Sequence, residues 1–319
     1  MPLNVPPTTA ERRRPLTASQ LERLGRAIDP RATVAGARPL LGGVDTATYA
    51  LRLARDDDMR EVVVRVYRGW DDAAATAKRE YAALAAVSHV VALAPTPLLM
   101  DPDGDLIGEA LIVMTFLPGA PLPPLAPDDA WAEQLADALI AVHATPIERL
   151  SADFPRAGSA AERLARNVER GAGERDPLWH TVVAALRPVA ADVTANAATL
   201  IHSDFWFGNT LWQDGRLTGI VDWDGARIDD PALDVAIARN DLALLSGADL
   251  ADVFLARYER ARGRLRDLAF WDALSCLAPI RFLPHWVEGY SELGLDLPLA
   301  TARARLESWI ASALRRLEE

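Results

Sequence analysis

A proline-rich segment interrupts the chain about a third of the way along it. The five prolines are Pro118, Pro121, Pro123, Pro124 and Pro127. Proline fixes its own φ angle and has no backbone N–H, so a segment this rich in proline continues neither a helix nor a central strand. The segment therefore predicts a break between two domains, over residues 1–116 and 117–319.

The hydrophobic pattern differs on the two sides of this segment. Before it, short β-branched runs separated by turn sequences predict strands over residues 34–41, 46–53, 62–67, 97–100 and 110–116, with a helix over 71–87. After it, amphipathic patterns predict helices over residues 128–144, 159–170, 176–196, 231–245, 248–262, 266–290 and 297–317. The sequence thus predicts a small β-rich lobe followed by a larger helical lobe.

The composition excludes several classes of function. The chain has 34 basic and 45 acidic residues, a net charge of −11, and no lobe carries the basic excess that nucleic-acid binding needs. No apolar run approaches the roughly 18 residues of a membrane span, and residues 1–15 lack the apolar core of a secretory signal. We therefore expect a cytoplasmic protein without a nucleic-acid or membrane partner. Cys276 is the only cysteine, which excludes an internal disulfide, and Lys78 is the only lysine.

One stretch among the predicted helices carries the chemistry. Residues 200–224 read LIHSDFWFGNTLWQDGRLTGIVDWD, in which His202, Asp204 and Asn209 form the pattern H-x-D-x4-N. Asp222 follows Asn209 across an apparent hairpin, at the end of a short apolar run. Phosphoryl transfer from a nucleotide needs one carboxylate to orient a hydroxyl and accept its proton. It also needs a second carboxylate and a neutral oxygen ligand to hold Mg²⁺ against the phosphates.

These motifs resemble the aminoglycoside phosphotransferase and choline kinase-like family. The resemblance implies an α+β, bilobal protein-kinase-like fold, with a small antiparallel sheet lobe and a mainly helical C-terminal lobe. It also implies that Asp204 is catalytic, that Asn209 and Asp222 bind the metal, and that Asp234 anchors the catalytic loop from a helix. Ser203 stands where the family commonly has glycine, and residues 205–207 are unusually aromatic, with Trp206 a candidate contact for the substrate.

The resemblance also implies where a nucleotide binds in the first domain. The loop 41–46, which contains Gly43, is similar to the family's glycine loop over the phosphates. The strand position that carries the phosphate-binding lysine in kinase-like folds falls on Arg65, with Glu80 as its partner. Residues 111–119 are similar to the family's hinge, so adenine is expected to pair with backbone groups near Thr115 and Leu117. The implied cofactors are ATP and Mg²⁺.

Several alternatives stay open at this point. The expected activity is transfer of the γ-phosphate of ATP to a hydroxyl of a small molecule such as an aminoglycoside, amino sugar, sugar or similar alcohol. The alternative is a nucleotide-binding pseudokinase that serves as a regulatory scaffold, favoured only by the departures at Arg65 and Ser203. A protein kinase is weakened by the short segment after Asp222. A cationic acceptor would fit acidic residues of the helical lobe, which surface solubility explains equally well: Asp272, Glu288, Glu292 and Asp296. The oligomeric state is not predicted.

Overall fold

The computed structural model describes residues 14–40, 47–89, 91–121, 127–150 and 152–319. These residues form two compact units. Unit 1 comprises the described residues up to Pro118 together with Gly219–Asp224, and unit 2 comprises Gly119–Thr218 and Gly225–Glu319.

Unit 1 is built on a five-stranded antiparallel sheet with the strand order β1-β2-β3-β5-β4. Its strands are β1 (Thr33–Pro39), β2 (Ala47–Arg55), β3 (Asp58–Val66), β4 (Pro97–Asp101) and β5 (Leu111–Thr115). Side chains alternate across a strand, and Val62, Val64 and Val66 of β3 pack into one hydrophobic cluster. Arg65 therefore faces the opposite side of the central strand.

Two helices accompany this sheet. Helix α1 (Ala18–Ile28) begins with a capping box in which Thr17 and Gln20 bond each other's backbone amides. Helix α2 (Ala73–Val87) packs against β4 and β5 and buries Glu80, whereas Lys78, two residues earlier, is exposed. The position of Lys78 follows from helix geometry, because residues two apart do not share a face.

Unit 2 is mainly helical. Its helices are α3 (Asp129–His143), α4 (Ala160–Arg170), α5 (Pro177–Leu186), α6 (Ala232–Ser246), α7 (Ala248–Arg262), α8 (Leu268–Ser275), α9 (Leu277–Glu292) and α10 (Leu299–Leu317). Two small antiparallel sheets lie between α5 and α6, pairing β6 (Thr199–Ile201) with β9 (Arg227–Asp229) and β7 (Thr210–Gln213) with β8 (Arg216–Ile220). Helix α6 packs on α7, α8 and α10 and is buried along most of its length.

Prolines account for two differences between the predicted and observed helices. The helix predicted over 176–196 ends at Leu186, because Pro188 has no backbone N–H and cannot donate the next helical hydrogen bond. The helix predicted over 266–290 is two helices that meet at Cys276. Pro279 falls in the first turn of α9, where no helical hydrogen bond needs its N–H, and Pro284 lies inside the same helix. In the described part of the chain, no helix is long and apolar enough to span a membrane.

Candidate active site

The H-x-D-x4-N motif forms a loop between β6 and β7. Strand β6 ends at Ile201, and a 3₁₀ turn over Phe207–Asn209 leads into β7. Asp204 is exposed, whereas Asn209 is only 5% exposed. Asn209 Nδ2 donates to the Asp204 backbone oxygen and to Asp204 Oδ2, both at 2.9 Å. The loop therefore brings together two of the predicted site residues and leaves the Asp204 carboxylate accessible.

Asp234, in the first turn of α6, anchors the start of this catalytic loop. Its two carboxylate oxygens accept the backbone amides of His202 and Ser203, each at 2.6 Å. His143 Nε2 lies 3.2 Å from Asp234 Oδ2, and His143 Nδ1 lies 2.7 Å from the Tyr258 hydroxyl. Burial opposes ionisation of Asp234, but the hydrogen bond and charge of His143 outweigh it and lower the pKa of this carboxyl. The anchoring role predicted for Asp234 is confirmed.

Ser203 adopts a left-handed backbone conformation with φ of 71°. This conformation favours glycine and is rare for serine. The Ser203 hydroxyl donates to the Gly225 backbone oxygen at 2.6 Å, and a Cβ at Gly225 would overlap that hydroxyl. Ser203 and Gly225 thus fit each other sterically.

Unit 1 holds a second group of predicted site residues. Arg65 Nη1 donates to Glu80 Oε1 at 3.2 Å, and Arg65 Nη2 donates to Asp222 Oδ1 at 2.5 Å. The Tyr67 hydroxyl donates to Glu80 Oε2 at 2.5 Å. Arg65, Tyr67 and Glu80 are buried, whereas the Asp222 side chain is 32% exposed. The predicted pairing of Arg65 with Glu80 is confirmed, and Asp222 joins the same ion-pair network.

The charges in this group shift each other's titration. Burial raises the pKa of Glu80 to about 7, against the opposing effect of Arg65. Burial disfavours the charged form of Arg65, but Asp222 and Glu80 overcome it and raise the pKa of the guanidinium further. Arg65 is therefore a permanent cation between two carboxylates. Asp222 itself has φ of 69°, a second left-handed residue that is not glycine.

The remaining predicted nucleotide contacts have different outcomes. Gly43 lies outside the described residues. The Thr115 backbone N–H donates to Thr96 O at 2.9 Å, so that amide is already engaged and not available to adenine. Leu117 follows the end of β5 and is half-buried.

One of the four acidic candidates for a cationic acceptor is wrong. Asp272 is fully buried and binds Arg239 and Arg316, the latter at 2.8 Å, so its carboxylate compensates arginines inside the protein. Glu288 and Asp296 are exposed, and the Glu292 side chain is outside the described set.

Two polar residues support the site in ways that the sequence patterns do not predict. Tyr67 lies two residues after Arg65, and the period of a strand would have placed both on one face. His143 is the last residue of α3. It is packed, with 2% exposure, but its ring also orients Asp234. Only the contacts of His143 with residues distant in the sequence reveal that role.

Comparisons with known proteins agree on one fold. A macrolide 2′-phosphotransferase, MphH from Brachybacterium faecium, is 22% identical over 92% of this chain and 97% of its own, with a TM-score of 0.64. A thermostable mutant of the aminoglycoside phosphotransferase APH(4)-Ia, in a ternary complex with ADP and hygromycin B, is 17% identical over 92% and 98%, with a TM-score of 0.62. Spectinomycin phosphotransferase APH(9)-Ia, in complex with ADP and spectinomycin, is 14% identical over 96% and 99%, with a TM-score of 0.60. No curated protein matched the chain.

The likeness to these structures establishes the fold class, an α+β protein-kinase-like fold. The model of the phosphotransferase enzyme family matches residues 36–268, which is most of the chain. The chain belongs to this family. It is therefore a phosphotransferase, an enzyme that transfers a phosphoryl group to a hydroxyl of a small molecule.

Proposed function

We propose that the protein is an ATP- and Mg²⁺-dependent kinase that transfers the γ-phosphate to a hydroxyl of a small molecule. In this proposal, residues 1–116 bind the nucleotide and residues 117–319 supply the catalytic loop and the acceptor site. Its place of action is the cytoplasm, where ATP is supplied. The observation that carries the proposal is the exposed Asp204 carboxylate, held by Asn209 in a loop that α6 anchors.

Asp204 is the proposed catalytic residue. Asn209 donates to its Oδ2, and the side chain is exposed. A carboxylate in this position orients the hydroxyl for in-line attack and accepts its proton as the bond to phosphorus forms and the bond to the β-phosphate oxygen breaks. Since Asn209 also bonds the Asp204 backbone oxygen, the carboxylate and its own main chain are held together.

Asn209 and Asp222 are the proposed metal ligands. Because Asn209 Nδ2 is used by Asp204, its amide oxygen is the atom left to bind a cation. Asp222 Oδ1 accepts a hydrogen bond from Arg65, and Oδ2 is the proposed metal-binding oxygen. An amide oxygen and a carboxylate oxygen are hard donors, which suit Mg²⁺. Bound there, Mg²⁺ would supply neutralisation of charge on the phosphates.

Arg65 is the proposed phosphate-binding residue. Its charge is permanent, and a guanidinium can bind two phosphate oxygens at once, so arginine can serve where kinases use lysine. Glu80 accepts a hydrogen bond from Arg65, and the Tyr67 hydroxyl in turn donates to Glu80. Glu80, Gly43, Thr115 and Leu117 complete the proposed nucleotide contacts. Of the Thr115 backbone groups, only the carbonyl is proposed to pair with adenine, since the N–H is engaged.

The acceptor is proposed from the chemistry of the structural neighbours. Complexes among them hold hygromycin B and spectinomycin, and another neighbour is a macrolide 2′-phosphotransferase. A polyhydroxylated antibiotic or a related amino sugar or sugar is therefore the first class to test. Trp206, half-buried two residues after Asp204, is the proposed contact for the acceptor.

An ATP-consumption screen tests the proposal. The wild-type protein with Mg²⁺ is assayed against aminoglycosides, aminocyclitols, macrolides, sugars and choline-like alcohols, with phosphorylated product confirmed by mass spectrometry. Asp204→Asn should lower kcat by about 10²–10⁴-fold while ATP binding stays measurable. Asp214→Asn, the same change at an exposed turn residue, is the matched control and should be fully active. ATP binding without turnover on any acceptor would instead favour the regulatory scaffold.

A further inference from the structure

A second carboxylate on α6 holds the other end of the catalytic loop. Asp241 lies seven residues after Asp234, and seven residues make about two helical turns, so both carboxylates are on one face of α6. Asp234 accepts the amides of His202 and Ser203, and Asp241 Oδ2 accepts the Phe207 amide at 3.3 Å. One rigid helix thus holds the loop at two places, and the nearest donors of the two attachments, Ser203 and Phe207, are four residues apart.

Tyr290 of α9 completes the second attachment. Its hydroxyl donates to Asp241 Oδ1 at 2.5 Å, and its ring stacks on Phe207 with 5.4 Å between centroids and 26° between planes. All three residues are buried, with 2% exposure or less. Tyr290 therefore acts both on the carboxylate and on the residue that the carboxylate binds, and it restricts the movement of Phe207 from two directions.

The two attachments bracket the groups that the proposed reaction uses. Asp204 directly follows the Asp234 attachment, and the 3₁₀ turn that ends at Asn209 begins at Phe207. Because Asn209 must reach back 2.9 Å to Asp204, a displacement of Phe207 would displace that contact. We propose that Asp241 and Tyr290 are positioning residues, which hold the second half of the catalytic loop so that Asn209 meets Asp204 in the geometry needed for transfer. This inference rests on the proposed function.

The buried charge of Asp241 is not what stability alone would favour. Burial raises its pKa to about 7, against the opposing effect of the Tyr290 and Phe207 hydrogen bonds. Asparagine has the same shape, could still accept the Phe207 amide, and would avoid burying a charge. The aspartate is therefore expected to make the loop more rigid while making the whole protein less stable above neutral pH.

Asp241→Asn in the full-length protein tests the inference with three measurements. Hydrogen–deuterium exchange is measured over residues 205–211. The amides of 207–209 should exchange about tenfold faster, because the loop opens more often when the acceptor of the Phe207 amide is weaker. At saturating substrates, kcat should fall about 10- to 100-fold, with the KM for ATP changed less than about threefold. The Tm at pH 8 should stay equal or rise. A residue needed only for stability would lower Tm and leave kcat of the folded protein unchanged.

Tyr290→Phe is the second variant, because it removes one hydroxyl and keeps the ring on Phe207. It should also speed exchange at 207–209 and lower kcat. Because both residues act through one attachment, the kcat of the double variant should be no lower than that of the less active single variant. Asp101→Asn and Tyr49→Phe are matched controls, the same changes at buried residues of unit 1. They should leave both the exchange of 205–211 and kcat unchanged.

The outcomes separate this inference from the proposed function. Unchanged exchange at 207–209 in both variants, or unchanged kcat in both, overturns the positioning role. If Asp204→Asn abolishes turnover and Asp241→Asn does not reduce it, the proposed function stands and only the positioning role is wrong. If the wild-type protein transfers phosphate to no acceptor, the proposed function fails. Exchange then still decides whether Asp241 holds the loop.

Discussion

Replacing Asp241 by asparagine should change how the stability of the protein depends on pH. The carboxyl has an ordinary pKa of 3.8 in the unfolded chain and a pKa of about 7 in the folded protein. Below pH 3.8 both states hold the proton, and the group has no effect on the pH dependence. Between pH 3.8 and 7 only the folded state holds it, so stability falls as pH rises through this window. Above pH 7 both states are ionised, and the loss is complete.

The size of this loss follows from the two pKa values. A difference of about 3 pKa units, at 1.36 kcal/mol each, makes about 4 kcal/mol. Asp241→Asn removes this titration. The free energy of unfolding of the variant, minus that of wild type, should therefore increase by about 4 kcal/mol from pH 4 to pH 8. Taking the difference between the two proteins cancels every other titrating group that the substitution leaves unperturbed.

Urea unfolding at a series of pH values measures this difference. Seven of the nine tryptophans lie in unit 2, which contains Asp241, so tryptophan fluorescence reports mainly on the relevant unit. The free energy of unfolding is extrapolated to water for each protein, with equal m-values required for the comparison. A difference between wild type and variant that is the same at pH 4, 6 and 8 would refute the reasoning, since it would mean that the carboxyl titrates alike in both states.

Three further predictions concern the network around the site. Arg65→Ala should weaken ATP binding at least tenfold by calorimetry and destabilise unit 1 by about 3–5 kcal/mol, because Glu80 stays buried without its cation; an unchanged Kd would mean that phosphates bind elsewhere. Ser203→Gly should be more stable than Ser203→Ala by about 1 kcal/mol, because only glycine relieves the left-handed φ; equal Tm values for the two variants would contradict this. Asp272→Ala should lower the free energy of unfolding by about 3–5 kcal/mol, because Arg239 and Arg316 lose their shared carboxylate, and urea unfolding with near wild-type stability would exclude that role.

Short sequence patterns are sufficient to predict elements whose structure depends on neighbouring residues in the chain. The central strand β3 is recognisable from its β-branched run, and the catalytic loop from a motif of eight consecutive positions beginning at His202. The C-terminal end of α5 and the break at Cys276 differ from the prediction, because the apolar periodicity continues across Pro188 and Pro279 whereas the regular helices do not. The role of Asp241 could not be predicted, since its partners come from a loop and a helix distant in the sequence.

Each unit has a left-handed backbone residue among or beside its proposed functional residues. Among the described residues, the non-glycine residues with positive φ are Asp56, Ser203, Asp214, Asp222 and Asp267. Aspartate tolerates this conformation in turns, but Ser203 does not share that preference. Ser203 directly precedes the proposed catalytic Asp204, Asp222 is a proposed metal ligand, and such strain persists only where neighbouring contacts determine the conformation. Asp234 supplies those contacts for Ser203 and Arg65 supplies them for Asp222, so each strained residue depends on a buried charge partner. Loss of either partner should therefore disturb the backbone at the site before it unfolds the surrounding unit.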